Sequence, residues 1–304
     1  MKREALQRSL RGPVRFDEPM ARHTTLRVGG PADAWVEPLD VDDLRALAAY
    51  CHDSATPWYA LGIGSNLLCL DGGIRGIVVS TRRMDRIERI APATLRTGGG
   101  LSTARLLAAT LEMGLSGLEF LAGVPGTVGG GLVMNAGTYL GEFKDVTRAV
   151  GTVTRRGDCV ERTAAECGFA YRTSSIPRDE IVAWGTFTLR DRPRDEMERD
   201  VRELRGRRRA REPKGLPNAG SFFKNPPGDF AGRLIELAGL KGRSVGGAQI
   251  SPVHANWFVN TGGACAGDFL ALAEIARRDV RESSGIDLEL EVQIVGDGSP
   301  AEAR

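Results

Sequence analysis

GLEFLAGVPGTVGGGLVMNAG, residues 117–137, decides how the rest of the chain is read. Seven of its 21 residues are glycine, and Pro125 fixes one turn. A glycine inside a helix or strand costs up to about 1 kcal/mol relative to alanine. The segment is therefore expected to be neither an ordinary helix nor a central strand. Its residues leave two readings open. One is a glycine-rich structural crossover. The other is a main chain that must approach a ligand closely, and a long diphosphate bridge lying along bare N–H groups suits such a stretch.

A second glycine turn, LGIGSN (61–66), ends the predicted strand PWYALGIG (57–64). It is not G-x-G-x-x-G, because Leu67 stands at the third glycine position, and no GK[ST] occurs anywhere. The Rossmann and P-loop patterns therefore both fail. What remains is either a plain turn or a phosphate nest of bare N–H groups with the Ser65 hydroxyl and the Asn66 amide.

Around these turns the chain reads as three lobes. In residues 1–80, a strand at 33–38 precedes a helix over 39–51, which places Leu44, Leu47, Ala48 and Cys51 on one face; a strand follows at 74–80. In 81–207, a strand over 94–100 runs into a glycine turn. A helix over 102–114 has Ser102 or Thr103 as cap and Gly114 as stop, and strands follow within 148–157 and 181–190. A charged helix covers 193–211. In 208–304, helices are expected at 230–239 and near 267–284, and strands at 254–260 and 287–295. The last of these, DLELEVQIV, alternates: Leu288, Leu290, Val292 and Ile294 face one way, Glu289, Glu291 and Gln293 the other.

Composition narrows the class. The net charge of +2 is too small to argue for a polyanion partner. The basic run Arg205 to Arg211 lacks interleaved aromatics, so it reads first as a helix end favoured by the dipole and only second as a nucleic-acid contact. Five scattered cysteines without a CxxC read as reduced thiols in a cytoplasm. The start, MKREALQRSLRG, has no apolar core of a signal peptide, and no apolar run is long enough to span a bilayer. Three histidines far apart in sequence make no His-rich metal site, and no metal is expected.

NAGSFFKNP (218–226) sets Asn218, Ser221, Lys224 and Asn225 around two phenylalanines. Such a mixture suits a concave site that grips an anionic, partly apolar molecule.

LGIGSNLL, the 117–137 segment, YRTS (171–174), NAGSFFKNP and LELEVQIVG (288–296) occur in that order. Together they resemble the UDP-N-acetylenolpyruvoylglucosamine reductases, flavoenzymes of peptidoglycan precursor synthesis, in the shorter form with a compact third domain. The likeness covers roughly residues 16–296. It implies an α+β fold: a two-lobed FAD-binding domain of the vanillyl-alcohol-oxidase/PCMH type, then a C-terminal α+β substrate-binding domain. It implies non-covalent FAD held by Gly62, Ile63, Gly64, Ser65, Asn66 and Leu67 in one loop, and by Gly123, Pro125, Gly126, Thr127, Gly130, Asn135 and Gly137 in the other. NADPH is the implied hydride donor, and the enolpyruvyl double bond of a UDP-sugar is what becomes reduced.

That reaction builds negative charge beside the substrate carboxylate, so it needs donors aimed at the charge and one proton for carbon. The family pattern assigns the carboxylate to Arg172, the proton to Ser221 and stabilisation of the enolate-like charge to Glu291. Tyr171, Lys224, Asn225, Gln249 and His254 are the implied substrate contacts. The pattern usually carries an arginine where this chain has Gln293. The resemblance further implies a monomer acting on a small molecule, without nucleic-acid or membrane partners. Two other readings remain: a different flavoprotein of the same FAD-binding type, or a non-enzymatic UDP-sugar- or nucleic-acid-binding protein.

Overall fold

A computed structural model describes residues 1–297 and divides into two compact units. The first comprises Met1–Phe16, Ala34–Gly62 and Gly76–Arg207. The second comprises Asp17–Asp33, Ile63–Arg75 and the described residues from Arg208 onward.

Strands Val14–Pro19, Pro31–Val36, Ile74–Ser80 and Trp58–Leu61, most of whose residues belong to the first unit, lie in that order in one sheet. The helix Val41–Asp53 buries Leu44, Leu47, Ala48 and Cys51, the face its spacing predicts. Asp40 caps it, accepting from the Asp43 amide at 2.9 Å. A second sheet is antiparallel and five-stranded: Cys159–Thr163, Thr147–Val153, Ile181–Thr188, Thr94–Gly98, Ile87–Ala91. Val153, Ile181 and Ala183 of that sheet join the core built on Leu44, Leu47 and Trp58, so the two lobes of this unit share apolar packing. The helix Thr103–Met113 starts at Ser102, whose hydroxyl accepts from Arg105 N, and stops at Gly114 with φ +66°.

The glycine-rich segment corrects one expectation. Val128–Val133, VGGGLV, is a short α-helix. Close packing offsets its weak propensity. A Cβ on Gly131 would sit 2.2 Å from a ring carbon of Phe143. That ring is fully buried, with Phe120 and Phe187 at centroid distances of 5.8 Å each. Glycine at 131 lets the helix lie directly on the aromatic cluster, and the dispersion and burial gained there outweigh the entropy lost.

The second unit has its own core. Strands Asn218–Ser221, Trp257–Asn260, Ala248–Ile250 and Ser244–Val245 form an antiparallel sheet in that order. Helices Ala231–Leu237 and Ala266–Ser284 pack on it, and Leu26, Val28 and Leu68 contribute from the early segments. The paired aromatics of NAGSFFKNP belong to this core. Phe222 stacks on Phe258 at 4.3 Å, and Phe222 and Phe223 are 1% and 0% exposed. Each such burial is worth about 1.5–3 kcal/mol, enough to anchor the polar residues on either side.

The closing stretch also departs from expectation. Only Gln293–Val295 is a regular strand, parallel to Leu67–Cys69. Residues 289–292 bond instead to the 222–224 backbone: Lys224 N donates to Glu289 O at 2.8 Å, and Glu291 N to Phe222 O at 2.9 Å. The change of partner breaks the alternation, so Leu288 and Val292 are buried while Ile294 is exposed. Among the described residues, no helix is long and apolar enough to cross a membrane, and no acidic, Cys or His group is placed to hold a metal.

Candidate active site

In the first unit the two glycine turns meet. A Cβ on Gly62 would lie 2.6 Å from Thr127 Oγ1, so only glycine permits the approach. Thr127 caps the short helix, its hydroxyl accepting from Gly130 N at 3.4 Å. Thr103 holds the preceding residues, donating its hydroxyl to Val124 O at 2.6 Å and its amide to Gly126 O at 3.1 Å. At Gly126 and Gly130 the main chain is bare on one side. A Cβ there would meet nothing closer than Thr103 Cγ2 at 3.8 Å and Thr127 Oγ1 at 3.5 Å respectively. These glycines have no packing reason, unlike Gly131. Open backbone at a capped helix start is what an extended diphosphate needs, and the residues present fit a dinucleotide.

Other candidates serve the protein itself. A Cβ on Gly137 would fall 2.4 Å from Gly141 O, inside a tight hairpin. Asn135 is fully buried with φ +42°; its Oδ1 accepts from Lys144 N at 3.0 Å, and its Nδ2 donates to Glu142 Oε2 at 2.9 Å and Ala170 O at 3.0 Å. Asn135 is thus a brace, and it reaches the turn that carries Arg172. There Ala170 and Thr173 exchange both backbone hydrogen bonds, leaving Tyr171 and Arg172 at the tip. Arg172 holds φ +55°, a conformation unusual for a side chain of its size, and its guanidinium lies 5.1 Å from the Tyr171 ring centre. Ser174 Oγ donates to Val133 O at 2.8 Å, hanging the same turn on the end of the short helix.

In the second unit, Gly64 has φ +66° and its carbonyl accepts from Thr25 N at 3.1 Å and Thr25 Oγ1 at 3.2 Å. Ile63 is exposed, whereas Leu67 is buried and pairs with Gln293. Asn66 is committed to the strand beside it: Nδ2 donates to Glu291 O at 3.1 Å, and its carbonyl accepts from Gln293 N at 3.0 Å. Gln293, standing where the family pattern has arginine, donates its own amide to Glu291 O at 3.2 Å. Two side-chain amides therefore converge on the main-chain carbonyl of Glu291.

Ser221 follows a sharp bend. Asn218 Oδ1 accepts from Gly220 N at 3.1 Å, Gly220 has φ +74°, and the pairing with Trp257–Asn260 shifts register between Asn218 and Ser221. Beyond the bend, Ser221 and Asn225 line a cleft of about 410 Å³ with Phe230, Arg233, His254 and Asn256. Asn225 Oδ1 accepts from Ala231 N at 3.1 Å. Arg233 is ion-paired with Asp229, whose carboxyl is pulled down to about 2 by hydrogen bonds from Arg233 and from the Phe230 amide. His254 Nδ1 accepts from Asn256 N at 3.2 Å, and Gly232 leaves room for the ring, since a Cβ would meet it at 2.9 Å.

Lys224 and Gln249 are outside that lining. Lys224 is ion-paired with Glu289, and the Gln249 amide donates to Gly242 O and Ser244 Oγ at 3.2 Å each. Asn256 escaped the sequence reading. Its only signal is an amide standing in the apolar run HANWFVN.

Residues 32–163 match the model of an FAD binding domain, and residues 212–295 match the C-terminal domain of UDP-N-acetylenolpyruvoylglucosamine reductase. A UDP-N-acetylenolpyruvoylglucosamine reductase of Geobacter sulfurreducens is 50% identical over 96% of this chain and 97% of its own. One from Pelobacter propionicus is 43% identical over 95% and 98%. The crystal structure of the reductase from Thermus caldophilus superposes with a TM-score of 0.80 at 37% identity, covering 94% of this chain and 99% of that one. With half of its residues identical over nearly the whole length of a curated relative, the chain belongs to the UDP-N-acetylenolpyruvoylglucosamine reductase family.

Proposed function

We propose that the protein reduces UDP-N-acetylglucosamine enolpyruvate to UDP-N-acetylmuramate with NADPH, as a monomer in the cytoplasm, in the synthesis of peptidoglycan precursors. The observation that carries this reading lies in the second unit. Ser221 opens onto a cleft shared with Asn225 and His254, and the backbone one residue later bonds the amide of Glu291. Two motifs far apart in sequence are locked into one small ladder beside a cleft.

Bound FAD would supply the hydride-transfer chemistry that links NADPH to the terminal carbon of the enolpyruvyl group. Gly126, Thr127 and Gly130, with Gly62 against them, are the residues that would hold its diphosphate. Negative charge then forms on the adjacent substrate carbon and spreads into the carboxylate. Arg172 meets that carboxylate with a permanent cation and a fork of donors. Glu291 shares in stabilising the same developing charge, a role that requires it to hold a proton or a tight hydrogen bond. The Ser221 hydroxyl gives its proton to the carbon, completing the C–H bond, and is reprotonated from solvent. Asn225 and His254 bind substrate polar groups in the cleft. Tyr171 flanks the carboxylate site. Lys224 exchanges Glu289 for a phosphate oxygen when substrate arrives, and Gln249 contacts the more distant part of the UDP-sugar.

The test is anaerobic. NADPH bleaches the bound flavin, and the enolpyruvyl UDP-sugar is then added. Rapid return of the flavin absorbance in the wild type, and its near loss in Ser221→Ala, is the expected result. Equal reoxidation in both proteins removes Ser221 from the chemistry.

A further inference from the structure

We infer that Asn256 is a positioning residue for the proton-donating serine. The inference rests on the role proposed above for Ser221.

Asn256 is 2% exposed and lies between Ala255 and Trp257 at the start of a core strand. A buried amide without partners costs about 1–3 kcal/mol, so its hydrogen bonds say what it is for. They go to two consecutive residues. Asn256 Oδ1 accepts from Phe223 N at 2.9 Å, and Nδ2 donates to Phe223 O at 2.8 Å. Its main-chain carbonyl accepts from Phe222 N at 2.8 Å. All three hold the backbone directly after Ser221.

The backbone needs this help. The register shift between Asn218 and Ser221, with Gly220 at φ +74°, ends the regular ladder to the neighbouring strand where the serine begins. Past that point residues 222–224 keep the 289–292 backbone as partner on one side but leave the strand Trp257–Asn260 on the other. The Asn256 side chain takes the place of a strand, presenting one donor and one acceptor to Phe223 as a paired residue would. The same short segment carries the carbonyl that accepts from Glu291 N at 2.9 Å and Val292 N at 3.3 Å. Fixing residues 222–223 therefore sets the serine on one side and the glutamate strand on the other. No bond of the Asn256 side chain reaches the first unit's glycine turns, so an effect on flavin reduction by NADPH is not part of the inference.

The experiment compares wild type, Asn256→Asp, Ser221→Ala and the double variant as FAD-loaded proteins. Asn256→Asp keeps the size and the acceptor but sets a second oxygen against Phe223 O. The expected result is normal flavin reduction by NADPH and reoxidation by the enolpyruvyl UDP-sugar slowed at least tenfold. A larger solvent deuterium isotope effect on reoxidation should accompany the slowing. In the Ser221→Ala background the same substitution should change reoxidation less than twofold, because the group it positions is gone. Hydrogen exchange of the substrate-free protein should rise in the peptides covering 218–226 and 288–293 and stay unchanged elsewhere. Asn256→Ser serves the same comparison if the aspartate variant does not fold.

Unchanged reoxidation in Asn256→Asp, with Ser221→Ala slow, overturns the inference. So does an equal loss in both half-reactions with exchange rising throughout, which marks a residue that only stabilises the fold. Wild-type reoxidation in Ser221→Ala removes the role of the serine itself, and the inference falls with it.

Discussion

Two neighbouring glycines in the short helix separate folding from cofactor binding. At Gly131 an added methyl group would meet the Phe143 ring at 2.2 Å. The ring is fully buried and wedged by Phe120 and Phe187, so it has no room to withdraw. Gly131→Ala gains about 0.5–1 kcal/mol of helix propensity and loses about 1–3 kcal/mol or more to overpacking. The net is destabilising by about 1–2 kcal/mol, or a lowering of the apo-protein midpoint by about 2–6 °C at this chain size. At Gly130 the new methyl would meet only Thr127 Oγ1, at an ordinary 3.5 Å. Gly130→Ala keeps the propensity gain without the clash, so apo stability should hold or rise slightly. The methyl, however, occupies the bare side of the backbone that is proposed to face the diphosphate. FAD affinity should fall at least tenfold, which is about 1.4 kcal/mol. Thermal unfolding of the apo protein and fluorescence titration with FAD measure the two quantities separately. A Gly130→Ala protein that binds FAD as tightly as wild type refutes the proposed cradle. A Gly131→Ala protein as stable as wild type refutes the packing argument.

Two further outcomes follow from the same structure. Arg172→Lys keeps the charge and loses the fork, worth about 1.5–3 kcal/mol for hydrogen bonds to a charged group, so substrate-driven reoxidation should slow about 10- to 100-fold with NADPH reduction unaffected; an unchanged rate would make Arg172 an ordinary surface cation. Burial pushes the Cys51 and Cys69 thiols up to about 12, so both stay protonated and inert at pH 8, while the exposed Cys159 should alkylate readily. Mass spectrometry after brief iodoacetamide treatment reads this directly, and early labelling of Cys69 would contradict the packing around residues 67–69.

The helices were legible wherever one face was apolar and the ends were chemically marked. Ser102 and Gly114 act where their residue types predict, because capping depends on a few neighbouring backbone groups. The 117–137 segment was legible as unusual but not in kind. Propensity argued against a helix at VGGGLV, and only the position of Phe143, ten or more residues downstream, explains why one forms. Alternation in DLELEVQIV implied a single strand, and what divides it is the 222–224 backbone, which no local pattern reveals. The site candidates divide for a related reason. Ser221, Asn225 and His254 come together at one cleft, while Asn66, Asn135 and Gln249 turn their amides to the protein, since an asparagine or glutamine looks the same in sequence whether its partner is a ligand or a carbonyl.

Residue order alone determined the family, the candidate positions of tight backbone approach and the chemical groups available, because motifs and turn chemistry are local and survive without coordinates. Tertiary structure decided which glycines are packed and which are bare, which early segments join the C-terminal core, and that a buried asparagine replaces a missing strand beside Ser221. Those are properties of partners brought close by folding, and hydrogen bonds and van der Waals contacts act only across a few ångströms of space, whatever the distance along the chain.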